Sequence, residues 1–95
     1  MAQRLSDSEV EQGLTASAWE RDGDAIARAF ELPDFAAAMA FVNRVAALAE
    51  EADHHPDILV HGWNRVRLTL STHSAGGLTR ADLDMAGRID ALADG

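Results

Sequence analysis

The chain predicts an α+β fold, one four-stranded antiparallel sheet with helices packed on one face, in the order α-β-β-α-β-β-α. Three observations carry this. Arg65 to Ser71 alternates strictly: Val66, Leu68 and Leu70 share one face, and Arg65, Arg67, Thr69 and Ser71 share the other, which is the period of a half-buried strand. Phe35 to Glu50 is apolar at the helical period instead. The terminal segments open on capping-box patterns, Ser6-x-x-Glu9 and Thr79-x-x-Asp82, with Leu5/Val10 and Leu78/Leu83 placed as hydrophobic staples.

The first helix starts at Ser6 and stops near Gly13. Ser17–Arg21 and Ala25–Leu32 then flank Asp22-Gly23, a pair suited to a type I′ turn, and predict a hairpin weakened by its alanines. Pro33-Asp34 opens the longest helix, with Asp34 as N-cap, running to Glu50. Phe35, Met39, Val42, Ala46 and Ala49 form one stripe, and Phe41, Val45 and Leu48 extend it. About half the circumference is apolar, more than packing on a sheet requires, so the excess is expected to meet another subunit, the alternative being burial against the two flanking helices. A second hairpin follows: Ile58–His61, a turn near Gly62-Trp63-Asn64, then Arg65–Thr72, with His73 closing the strand on its polar side. Gly76-Gly77 break the strand, and the last helix turns Leu83, Met85, Ala86, Ile89, Leu92 and Ala93 inward.

At 95 residues the sequence has room for one core, so a single domain over 1–95 is expected. No stretch approaches the roughly 20 apolar residues of a membrane span, and no basic, apolar leader opens the chain. Cysteine is absent, which removes disulfides, thiolate catalysis and thiolate-bound metals and suits a cytoplasmic setting. Sixteen acidic against eight basic residues give a formal charge of −8, which repels nucleic acid and anionic membrane surfaces.

The most informative segment is Glu50-Glu51-Ala52-Asp53-His54-His55-Pro56, two adjacent imidazoles at a helix end. Histidine ordinarily titrates near neutrality, so His54 and His55, with His73 from the second hairpin, suggest a proton-transfer site. The polar strand face of Arg67, Thr69 and Ser71 would floor a shallow depression rimmed by the three histidines. A plainer role is open to His54 and His55, that of cations complementing a helix C-terminus stopped by Pro56. A zinc site of His54, His55 and His73 is disfavoured, because neighbouring residues of extended chain point apart and neither HExxH nor cysteine is present. Glu50 reads as a solvated helix residue, His61 as a surface residue, and Trp19 and Trp63 as packing residues first.

Glu50-x-x-x-His54-His55-Pro56, the aromatic Trp63, Thr69-Leu70-Ser71-Thr72-His73, then Ala75-Gly76-Gly77-Leu78-Thr79 and Asp82 together resemble the pterin-4a-carbinolamine dehydratase family. Trp19, Asp24-Ala25-Ile26, Phe30 and Asp34-Phe35 extend the likeness over nearly the whole chain. The His-His-Pro and Ser-Thr-His blocks in this order are its specific motifs. One departure is the hairpin, where six residues, rather than the more usual five, separate Pro56 from Trp63.

The resemblance implies dehydration of a 4a-hydroxytetrahydropterin to the quinonoid dihydropterin, in support of tetrahydrobiopterin recycling. An acid would protonate the C4a hydroxyl and a base would take the N5 proton, without metal or organic cofactor. By the likeness His54 and His73 form the acid-base pair, and His55 contacts the pterin and assists. Asp53, Ser71 and Thr72 help the three histidines hold the ring. Asp82 falls where the family has a carboxylate near the site and could orient a histidine, although the third position of a capping box explains it equally. The implied partners are the pterin, an identical subunit in a homodimer or homotetramer joined through the 34–52 helix or a sheet edge, and an aromatic amino-acid hydroxylase as companion enzyme. The competing reading is a catalytically silent relative that works by binding a partner. Retention of all three histidines favours the enzyme.

Overall fold

Backbone hydrogen bonds in the computed structural model, described for residues 3–94, build the elements in the predicted order. They are α1 (Asp7–Gly13), β1 (Glu20–Asp22), β2 (Ala25–Glu31), α2 (Phe35–Ala52), β3 (Asp57–His61), β4 (Arg65–Leu70), a 3₁₀ turn (His73–Ala75) and α3 (Arg80–Asp94). The strands form one antiparallel sheet in the order β1-β2-β4-β3.

Register decides what each sheet face carries. Ile26 pairs with Leu70, Arg28 with Leu68 and Phe30 with Val66, so these side chains share the face that the helices cover. The core there joins Ile26, Phe30, Val66, Leu68 and Leu70 to Val10 of α1, Phe41 and Val45 of α2, and Met85 and Ile89 of α3. Phe30 and Phe41 stack at an angle with ring centroids 4.9 Å apart. Arg28 escapes the apolar face by reaching Asp90, 2.5 Å away on α3, while its guanidinium lies 4.4 Å above the Phe30 ring. The Trp19 indole N–H donates to the same Asp90 oxygen at 2.8 Å, tying the start of the sheet to α3.

The caps form as the sequence predicts at α1 and α2. Ser6 and Glu9 exchange both capping-box hydrogen bonds, and Asp34 accepts from Ala37 N–H at 2.7 Å.

Four expectations need correction. The first strand is shorter and later than Ser17–Arg21: Ala16 takes a left-handed φ of 59° and the Ser17 hydroxyl caps Trp19 N–H at 3.0 Å, so the chain bends before it extends. The β1–β2 turn is centred on Gly23-Asp24, not Asp22-Gly23. Only Gly23 has positive φ, so it is not the type I′ turn, which needs positive φ at both central residues. In α2 the buried arc centres on Phe41 and Val45 rather than on the stripe begun by Phe35, of which only Ala49 is buried. Ala38, Phe41, Val45 and Ala49 are buried, whereas Phe35, Met39 and Ala46 face outward. In α3, Ala93 likewise faces solvent.

Candidate active site

α2 ends where the sequence places its two imidazoles, and the ending aims them. Asp53 takes a left-handed φ of 50°, its N–H bonding Glu50 O at 3.4 Å while His54 N–H reaches back to Ala49 O at 3.1 Å. This paired pattern is a Schellman-type ending, and Pro56 cannot extend the helix. The chain therefore turns sharply, and His54 is thrown inward while His55 is thrown outward.

His54 Nε2 lies 2.6 Å from Asp82 Oδ1, and the His54 side chain is only 16% exposed. Asp82 is completely buried in the first turn of α3. Its second oxygen, Oδ2, accepts from the Thr72 hydroxyl at 2.8 Å and from Thr79 N–H at 2.9 Å. The last contact is the carboxylate half of the predicted capping box, so capping and histidine anchoring coincide in one side chain. A buried carboxylate with both oxygens hydrogen-bonded is fixed in place, which suits it to orient an imidazole.

His73 does not prolong β4 on its polar side as the alternation predicted. The strand ends at Leu70, a bridge between Thr72 and Gly77 closes a small loop, and His73 opens the 3₁₀ turn inside it. Gly76, with φ of 71°, closes that turn. His73 is exposed and faces a cavity of about 310 Å³ shared with Asp24, Ala25, Ser71, Thr72, Gly76 and Gly77.

The depression expected on the polar strand face needs correction. Arg67 does line an open cavity of about 600 Å³ there, with Glu20, Arg21, Asp22, Ala27 and Ala29 among its neighbours, but no histidine reaches it. Ser71 belongs to the His73 cavity, and Thr69 lines neither. His54 opens instead to a smaller cavity of about 210 Å³ beside Ala52, Ala81, Asp84, Met85 and Arg88.

The structure thus brings together His54, Asp82 and Thr72 by hydrogen bonds, and Ser71, Thr72 and His73 by a shared cavity, with Thr72 common to both groups. His55 is exposed and pairs with Glu50, so Glu50 is not merely solvated. The Asp53 side chain is exposed and its contribution is the backbone turn. His61 and Trp63 stand at the tip of the second hairpin, where Gly62 and Trp63 both have positive φ and Trp63 is 60% exposed. Two residues escaped the sequence reading: Asp24, placed in the His73 cavity by the two-residue β1–β2 turn, and Thr79, whose hydroxyl lies 2.9 Å from that of Thr72. Thr79 carried a signal as the first residue of the capping box. Asp24 carried only its place in the likeness.

Among the described residues no three of His, Cys, Asp and Glu converge as a metal ion would require, and no helix is long and apolar enough to cross a membrane.

Comparison with known proteins finds relatives over nearly the whole chain. A family model described as pterin 4 alpha carbinolamine dehydratase matches residues 3–92. A Roseiflexus sp. (strain RS-1) protein, provisionally named a pterin-4-alpha-carbinolamine dehydratase, is 52% identical over 97% of this chain and 99% of its own. The crystal structure of a transcriptional coactivator/pterin dehydratase from Brucella melitensis superposes with a TM-score of 0.90 at 39% identity, covering 96% of this chain and 99% of the other. A pterin dehydratase-like protein described as a RuBisCO assembly factor in the alpha-carboxysome gives a TM-score of 0.68 at 33% identity, over 80% of this chain and 89% of the other.

Proposed function

This chain belongs to the pterin 4 alpha carbinolamine dehydratase family, and from that premise we propose that it dehydrates a 4a-hydroxytetrahydropterin by histidine acid-base catalysis. The observation that carries the histidine reading is the His54–Asp82 contact. An imidazole held at one nitrogen by a buried carboxylate is oriented, and it can pass a proton at the other.

The reaction breaks the C4a–O bond and removes the N5 proton, releasing water and the quinonoid dihydropterin. One group must give a proton to the departing hydroxyl and one must take the proton from N5. On the family likeness we assign these two roles to His54 and His73, which open to separate cavities and are linked through Asp82 and Thr72. His55 contacts the ring, and Ser71, Thr72 and the Asp53 turn help to hold its donor-acceptor edge. Support comes from the cavity shared by Ser71, Thr72 and His73, whose size and polar lining suit a small heterocycle. Following the decay of chemically generated 4a-hydroxytetrahydropterin with and without the protein tests the activity directly.

A homodimer or homotetramer through the 34–52 helix or a sheet edge belongs to the same reading. It is favoured by apolar side chains left uncovered: Phe35 at 53% and Met39 at 36% exposure on α2, and Leu59 at 53% on the edge strand β3. The same exposed helix face supports the second reading, a partner-binding role without catalysis, since one structural relative is described as an assembly factor.

A further inference from the structure

Asp82 is held by three contacts. Its Oδ2 accepts the Thr72 hydroxyl at 2.8 Å and Thr79 N–H at 2.9 Å, and its Oδ1 faces His54 Nε2 at 2.6 Å. A threonine hydroxyl owns one proton, and Thr72 gives its proton to the carboxylate. In the 2.9 Å contact between the Thr72 and Thr79 hydroxyls the donor must therefore be Thr79. Thr79 is 1% exposed, so no bulk water competes for that proton. The donors run in one direction, from Thr79 to Thr72 to Asp82.

A simple capping role does not explain this placement. In an ordinary capping box the Thr79 hydroxyl would accept from Asp82 N–H, but that N–H bonds the Thr79 carbonyl at 3.1 Å and the hydroxyl turns to Thr72 instead. With Oδ2 saturated by two donors, Oδ1 is the oxygen left for the imidazole, and His54 meets it as an Nε2–H donor. The neutral ring then keeps its lone pair on Nδ1. Among the described residues Nδ1 has no hydrogen-bond partner, and no buried side-chain nitrogen or oxygen there lacks one, so Nδ1 reaches solvent.

We propose that Thr79 is a positioning residue which, acting through Thr72 and Asp82, holds His54 in the Nε2–H form and makes Nδ1 the nitrogen that exchanges the proton with substrate. This rests on the assignment of His54 to the acid-base chemistry. The test compares wild type, Thr79→Val and Thr79→Ser by ¹⁵N NMR of histidine-labelled protein and by dehydration kinetics. Wild type should show the neutral His54 ring with its proton on Nε2. Thr79→Val should mix the two ring forms and lower kcat about tenfold, the rate equivalent of one hydrogen bond, with KM within about twofold of wild type. Thr79→Ser should restore both readings. A wild-type ring protonated on Nδ1 overturns the proposal without any variant, so a Thr79→Val protein that fails to fold leaves it testable. A serine variant as impaired as valine also overturns it, by making the methyl group and not the hydroxyl responsible. If the ring form shifts in Thr79→Val while kcat does not, the positioning stands and it is the role of His54 in the reaction that fails.

Discussion

His54 and Asp82, 28 residues apart in the chain, meet at 2.6 Å because the end of α2 and the first turn of α3 converge on the loop after β4. Replacing Asp82 by Asn keeps the shape but turns one acceptor oxygen into a donor, against His54 or against Thr72 and Thr79. The expected result is a fall in kcat of about 10- to 100-fold and a loss of about 1–3 kcal/mol of stability, read from urea unfolding. Unchanged kcat with lowered stability would make Asp82 a cap alone.

The outward stripe of α2 leads to a prediction about assembly. Met39→Glu or Phe35→Glu introduces a charge where apolar side chains stand 36% and 53% exposed without covering neighbours. In analytical ultracentrifugation each variant should sediment as a smaller species than wild type at equal concentration. An Ala36→Glu control, also on α2, separates a general charge effect from loss of the stripe.

Acid should loosen the N-terminal cap. The Ser6 backbone N–H, donating to Glu9 at 2.8 Å, holds that carboxyl below its ordinary range, with the Ser6 side chain and Arg80 adding to the effect. A depressed folded-state pKa stabilises above the unfolded value of about 4.3 and the benefit is lost as pH falls through the folded value. The difference in unfolding midpoint between wild type and Glu9→Gln should therefore be constant at neutral pH and vanish in acid. A difference that persists in acid would contradict the assignment.

Asp90 serves two donors with one oxygen, the Trp19 indole at 2.8 Å and the Arg28 guanidinium at 2.5 Å. Asp90→Ala leaves both without their acceptor in a half-buried setting and should cost about 2 kcal/mol in urea unfolding. Trp19→Phe, which removes one donor and keeps most of the packing, should cost less.

What the sequence makes legible here follows periodicity and capping. The strict alternation of β4 predicts its buried face correctly, and Ser6, Asp34 and Thr79 mark the helix starts where they occur. Periodicity alone does not choose between two apolar arcs of α2, because Phe35, Met39 and Ala46 satisfy the same spacing as Phe41, Val45 and Leu48. Only the sheet's shape decides. At the site, the corner at Asp53-His54-His55-Pro56 is visible in the chain, but the opposite fates of its two histidines depend on a left-handed Asp53 that no pattern announces. The double duty of Asp82 is hidden for a related reason. A capping box is a complete local explanation, and the contact with His54 joins segments that only the tertiary fold brings together.

The most direct measurement of the central claim is the dehydration rate of chemically generated 4a-hydroxytetrahydropterin with wild type, His54→Ala and His73→Ala. The expected result is a wild-type rate above the uncatalysed one and a loss of about 10²- to 10⁴-fold in kcat for each variant, the worth of a positioned acid or base. A wild-type rate equal to the uncatalysed one would contradict the enzyme reading and favour partner binding, and full activity in both variants would contradict the histidine roles.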